Sequence, residues 1–146
     1  MGGSVVEDEY GEYVRNFLES HPEYKGRLFF LGFRKDAMEL MAEWEVFVLS
    51  TVYEGLPLSV MEALTAGEPV IASSVSGLPE LVDDGKTGIL VEKGNVEELE
   101  KAMVRLIENR ELIKEMGIKG QEKALKHFDV SHMVERYAKL CDVMLK

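Results

Sequence analysis

Glu54 and Glu62 stand with seven residues between them, and the first is followed by Gly55-Leu56-Pro57-Leu58-Ser59. Gly55 permits a tight loop and Pro57 suits a first helical turn, so the amides of Leu58 and Ser59 should point back, unpaired, at whatever sits above the loop. Free amides at a helix start form a phosphate-shaped site. Glu54 falls just outside such a helix, and Glu62 lies inside it by about one and a half turns, roughly 8 Å along the axis. A carboxylate can accept hydrogen bonds from both hydroxyls of a vicinal diol. Two of them around an anion site therefore suit a sugar, a phosphate and a ribose in line. The plain alternative is a pair of solvated helix-end glutamates. A further alternative uses the pair as acid and base of a hydrolase, but nothing near Glu62 suggests a raised pKa, and a helix N-terminus favours the charged form.

These residues need a scaffold, and the apolar pattern supplies one. Residues 7–20 carry Tyr10, Tyr13, Val14, Phe17 and Leu18 at helical intervals. Residues 27–31 and 45–50 are short apolar runs that read as buried strands, with a helix over 36–43 between them that Asp36 can cap. The pattern then repeats as helix 57–66, strand 69–73, short helix 78–82 and strand 88–91. Alternation on this period predicts an α/β fold of Rossmann-like, three-layer type, a parallel sheet with helices on its faces. Residues 96–126 and 130–145 read as C-terminal helices, broken near Asn109, Gly117 and Asp129. An open parallel sheet binds ligands at the carboxyl ends of its strands, so a site should draw on loops 32–35, 51–56 and 74–77.

Composition narrows the function classes. The chain has 146 residues, 46% of them hydrophobic, enough for one core, and nothing divides it, so residues 1–146 read as one domain. A formal charge of −10 opposes binding to nucleic acid or to anionic lipid. The single cysteine, Cys141, excludes an intrachain disulfide and a cysteine-based zinc cluster. No apolar run is long enough for a transmembrane segment and the N-terminus has no secretory pattern, which together lead to the expectation of a cytoplasmic protein.

The spacing of Glu54 and Glu62 resembles the Glu-x7-Glu motif of retaining family 4 glycosyltransferases, which have the two-domain GT-B fold. The surrounding segments are similar to that family's C-terminal domain in order and spacing: Leu31-Gly32-Phe33-Arg34, Val46-Phe47-Val48-Leu49, Glu62-Ala63-Leu64-Thr65-Ala66-Gly67, Pro69-Val70-Ile71-Ala72, Gly77-Leu78-Pro79-Glu80-Leu81-Val82 and Asp84-Gly85-Lys86-Thr87-Gly88. The resemblance runs from about Gly2 to the closing Phe128-Asp129 and Tyr137. It implies a nucleotide-sugar-binding domain of a hexosyltransferase, one half of a GT-B fold, serving transfer to a glycan or lipid-linked acceptor as in polysaccharide biosynthesis. Glu54 would contact the hydroxyls of the transferred sugar and Glu62 the nucleotide ribose. The amides of Leu58 and Ser59 would meet the distal phosphate, while Phe33 and Arg34 would border the base. The resemblance implies no cofactor and no metal, with a UDP-, GDP- or ADP-sugar as donor substrate.

The chain also departs from the family pattern. Trp44-Glu45 stands where Ala-Asp is usual, and Ser50-Thr51 where Pro-Ser is usual. The family domain begins with a strand and a helix carrying a basic pair that neutralises the donor diphosphate. Gly2-Gly3-Ser4 matches a turn after the next strand, so the expectation is an N-terminally truncated domain, inactive alone, whose acceptor site lies on a missing domain. The competing expectation is a stand-alone nucleotide-sugar-binding partner subunit or sensor. His21, His127 and His132 lack metal-ligand spacing, Asp83-Asp84 before Gly85 reads as turn chemistry, and Trp44 reads as packing. The amphipathic segment 130–145 could promote self-association.

Overall fold

The computed structural model describes residues 9–29, 31–32 and 34–144. The chain divides into two compact units, Met1–Ala37 and Met38–Lys146. In the first, helix α1 (Glu9–Ser20) leads into a 3₁₀ turn at Pro22–Tyr24. Phe17, His21 and Tyr24 stack there, with the Phe17 and His21 ring centroids 4.2 Å apart, so His21 serves packing.

No strand forms over the described part of residues 27–31. Leu28, Phe29 and Leu31 are exposed. A strand exists through its ladder of partners, and an apolar run without one has no reason to extend. Helix α2 (Ala37–Met41) is shorter than the periodicity predicts. Asp36 holds Arg34 instead of capping it, accepting from Nε at 2.8 Å and from Nη2 at 2.5 Å.

The second unit is the predicted alternation. Strands β1 (Phe47–Leu49), β2 (Val70–Ser73) and β3 (Gly88–Val91) form a parallel sheet in the order β1-β2-β3. Its registers pair Val48 with Ile71 and Ile71 with Ile89. Helices α3 (Leu58–Ala66) and α4 (Leu78–Leu81) are the crossovers between successive strands. Alternation along the strands sorts the core onto two faces. Val70 and Ala72 pack with Val60, Leu64, Leu78 and Leu81 on one side. Ile71, Ile89 and Val91 pack with Ala102 and Leu106 of α5 (Val96–Ile107) and Met116 of α6 (Arg110–His127) on the other. This is the three-layer, Rossmann-like architecture expected of one half of a GT-B fold.

Asn95 and Asn109 cap α5 and α6, accepting from the amides of Glu98 and Leu112 at 3.1 Å each. Gly117, expected to break the helical tail, lies inside α6 and is buried. A Cβ there would sit 2.1 Å from the Gly67 carbonyl oxygen, so the glycine marks the close approach of α6 to the end of α3. Asp83 and Asp84 do make a turn. The Asp83 carbonyl accepts from Lys86 and Thr87, and the Asp84 carboxylate accepts from the Leu90 amide at 2.9 Å. Trp44 stacks on Phe47 at the start of β1. Helix α7 (Val130–Met144) buries no residue, and Met133, Tyr137 and Leu140 are among its exposed apolar side chains.

Candidate functional site

Two of the strand-end loops meet above the sheet. The Gly77 amide donates to the Gly55 carbonyl at 3.2 Å, joining the loop after β2 to the loop after β1. A Cβ on Gly77 would lie 2.4 Å from that oxygen and 3.1 Å from Leu56 Cδ1. Gly55 itself has open space where a Cβ would stand and no positive φ. The steric need for glycine therefore falls at Gly77, not at Gly55 as the sequence suggested. No local pattern could have shown this, because the contact spans the crossover. Next to it, Ser76 has a φ of 48°, in the left-handed region that few residues other than glycine adopt. Leu78 begins a four-residue helix here, and Leu78 and Leu81 are buried, which anchors this loop from below.

Helix α3 starts one residue later than expected. Pro57 is its cap, with φ −69° and ψ 119°, and Leu58 is the first helical residue. The Val60 amide closes onto the Pro57 carbonyl at 3.2 Å. The amides of Leu58 and Ser59 bond to no described residue and lie at the positive end of the helix. Glu54 precedes this helix end and Glu62 lies within its second turn; both are half-buried. Neither carboxylate makes a hydrogen bond or ion pair with a described residue. Along the chain, two uncommitted acceptors thus bracket two uncommitted donors. Hydroxyl groups can satisfy the first and phosphate oxygens the second.

Leu56 is exposed beside Gly55. Phe33 lies outside the described residues. Arg34 belongs to the Met1–Ala37 unit, where its bidentate pair with Asp36 raises its pKa and holds the Asp36 carboxyl below the usual range. Among the described residues there is no group of histidine, cysteine or acidic side chains arranged to hold a metal. No described helix is long and apolar enough to cross a membrane.

A titratable group that the sequence did not point to is Glu68, between α3 and β2. It is 5% exposed, and its Oε2 is buried without a hydrogen-bond partner. Burial, reinforced by the charge of Glu45, pushes its pKa up to about 7. Glu45 in turn receives Arg110 at 2.7 Å. The backbone places Glu68 at the amino end of β2, away from the loops just described.

The family model for glycosyl transferases group 1 matches residues 3–109. Among curated relatives, the N,N'-diacetylbacillosaminyl-diphospho-undecaprenol alpha-1,3-N-acetylgalactosaminyltransferase of Campylobacter jejuni is 30% identical over 121 residues, which are 83% of this chain and 32% of the relative. The trehalose synthase of Pyrococcus horikoshii is 39% identical over 93 residues, 64% of this chain and 22% of the relative. The chain thus spans about a third of such proteins or less. Among solved structures, Anabaena Alr3699/HepE in complex with UDP superposes with a TM-score of 0.86 at 26% identity, over 92% of this chain and 37% of that one.

Proposed function

Because the chain belongs to the glycosyl transferases group 1 family, we propose that the loops around Gly55 and Gly77 form the donor site of a retaining hexosyltransferase. The observation that carries this reading is the pair of free amides at Leu58 and Ser59, flanked by the free carboxylates of Glu54 and Glu62. In it the amides receive the distal phosphate of a nucleoside diphosphate sugar. Glu62 accepts from the ribose hydroxyls and Glu54 from the hydroxyls of the transferred sugar. Binding of UDP by HepE, a structural relative, supports a nucleotide donor.

The chemistry asked of this site is electrostatic. As the bond between sugar and phosphate breaks, negative charge grows on the leaving diphosphate, and amides fixed at a helix start meet it without reorganising. The leaving phosphate then assists attack by the acceptor hydroxyl from the same face, with retention at the anomeric carbon. No metal or cofactor takes part in this reading.

Calorimetric titration with UDP-, GDP- and ADP-sugars and with the bare diphosphates tests the assignment. Glu62→Ala should weaken every nucleotide, whereas Glu54→Ala should weaken the sugar nucleotides more than the diphosphates. Unchanged affinities in both variants would remove these carboxylates from the site.

A further inference from the structure

The groups of the donor site are held by two different means. The Leu58 and Ser59 amides and the Glu62 carboxylate belong to α3, whose Val60, Ala63 and Leu64 are buried, so the helix fixes all three. Glu54 stands outside that helix, on a loop whose neighbours Tyr53 and Gly55 are exposed, and no described side chain holds its carboxylate. A carboxylate on such a loop keeps one place only if the backbone on either side of it is tied down.

Both sides are tied. After Glu54, the Gly55 carbonyl accepts from the Gly77 amide at 3.2 Å. Before it, Thr51 closes a turn around Tyr53. The Thr51 Oγ1 donates to the Tyr53 carbonyl at 3.1 Å and accepts from the Tyr53 amide at 3.4 Å. One hydroxyl therefore answers both backbone polar groups of the residue that precedes Glu54. Tyr53 is 80% exposed, where water answers a carbonyl equally well, so the turn constrains direction and does not rescue a buried group. Thr51 itself is half-buried just after β1, in a hollow that Val91, Val96 and Leu99 also line, which anchors the turn on the sheet end. The Gly77 bond lies between Thr51 and Pro57 along the chain, so slack at Tyr53 is not passed on to the start of α3.

We propose that Thr51 is a positioning residue, whose hydroxyl presents the Glu54 carboxylate to the transferred sugar and so sets the preference for a sugar nucleotide over the bare diphosphate. The proposal rests on the donor reading above, in which Glu54 meets that sugar; Thr51 touches no ligand. A loop already ordered in the free chain need not be ordered on binding, and the affinity rises accordingly.

Calorimetric titration of UDP-glucose and UDP into Thr51→Val, Thr51→Ala and Thr51→Ser, each alone and combined with Glu54→Ala, tests this. Valine keeps the branched shape in an apolar hollow and the released carbonyl faces water, so Tm should stay within about 3 °C of the parent. Thr51→Val and Thr51→Ala should weaken UDP-glucose about three- to tenfold and leave UDP within about twofold. Thr51→Ser keeps the hydroxyl and should bind both as the parent does. With Glu54→Ala already present, Thr51→Val should bring no further loss of UDP-glucose, because the group it positions is gone. Equal weakening of UDP and UDP-glucose, additivity with Glu54→Ala, parent-like affinity for UDP-glucose without the hydroxyl, or an equal loss in Thr51→Ser would each overturn the proposal. If Glu54→Ala leaves the ratio of the two affinities as in the parent, the role of Glu54 in the donor reading fails, and the proposal falls with it.

Discussion

Gly77→Ala should damage both stability and nucleotide binding through one contact. The backbone of Gly77 has φ −79° and ψ −5°, a conformation open to any residue, so no strain arises from the substitution itself. The whole cost comes from the added Cβ, 2.4 Å from the Gly55 carbonyl oxygen. A comfortable carbon to oxygen contact is about 3.3 Å, so residues 55–56 must retreat by about 0.9 Å. That movement stretches the hydrogen bond from Gly77 to Gly55, now 3.2 Å. Overpacking costs about 1–3 kcal/mol and the weakened hydrogen bond about 1 kcal/mol. The expected fall in Tm is about 6–12 °C for a chain of this size. Because the same loop leads into Pro57, the cradle shifts by a similar distance, and the UDP affinity should fall about tenfold or more. Thermal unfolding gives the first quantity and calorimetric titration, well below the variant's Tm, gives the second. Gly55→Ala is the stability control, since its Cβ meets nothing within 4 Å. A Gly77→Ala protein with unchanged Tm and unchanged UDP affinity would refute the reasoning.

Glu68 should make stability depend on pH near neutrality. Its folded pKa of about 7 exceeds the ordinary 4.5, so its contribution is full below the lower value and is lost as pH rises through the higher one. Relative to Glu68→Gln, the parent should lose about 1–2 kcal/mol of unfolding free energy between acid and alkaline ends of that window, after allowance for screening by water; parallel denaturation curves at all pH values would contradict this. Gly117→Ala should destabilise by about 1–2 kcal/mol net, overpacking against the Gly67 carbonyl exceeding the gain in helix propensity. Gly120→Ala, whose Cβ would meet the movable Leu64 Cδ2 at 2.9 Å, should stay within about 1 kcal/mol of the parent, both variants being compared by urea denaturation. Ser76→Val should cost about 1–2 kcal/mol at its φ of 48°, whereas Ser76→Gly should be close to neutral by thermal unfolding.

The parts of the fold that the sequence displayed are those whose cause is local. Strands 70–73 and 88–91 stand out because a continuous apolar run has only one use in a sheet covered on both faces. Helix α5 stands out by its stripe and its boundary at Asn109. Residues 27–31 misled, since their apolar content is that of a strand but strand formation needs a neighbour to pair with. Gly117 misled for a related reason. In isolation a mid-helix glycine weakens a helix, and only the proximity of Gly67 turns it into a packing requirement. In the candidate site, the two free amides follow from residue order, although the helix begins at Leu58, one residue later than the sequence placed it. The Gly55 to Gly77 contact comes from chain segments that meet only after the crossovers form.

Leu58→Pro tests the central claim with the least disturbance. Proline is favoured at a first helical position, the preceding Pro57 is already extended, and the Leu58 side chain is 69% exposed, so the helix should keep its stability. The substitution removes one free amide from the cradle and no side-chain charge. A hydrogen bond to a charged phosphate oxygen contributes about 1.5–3 kcal/mol, so UDP affinity should fall about tenfold to a hundredfold at unchanged Tm. A Leu58→Pro protein that folds as well as the parent and binds UDP as tightly would contradict the diphosphate cradle.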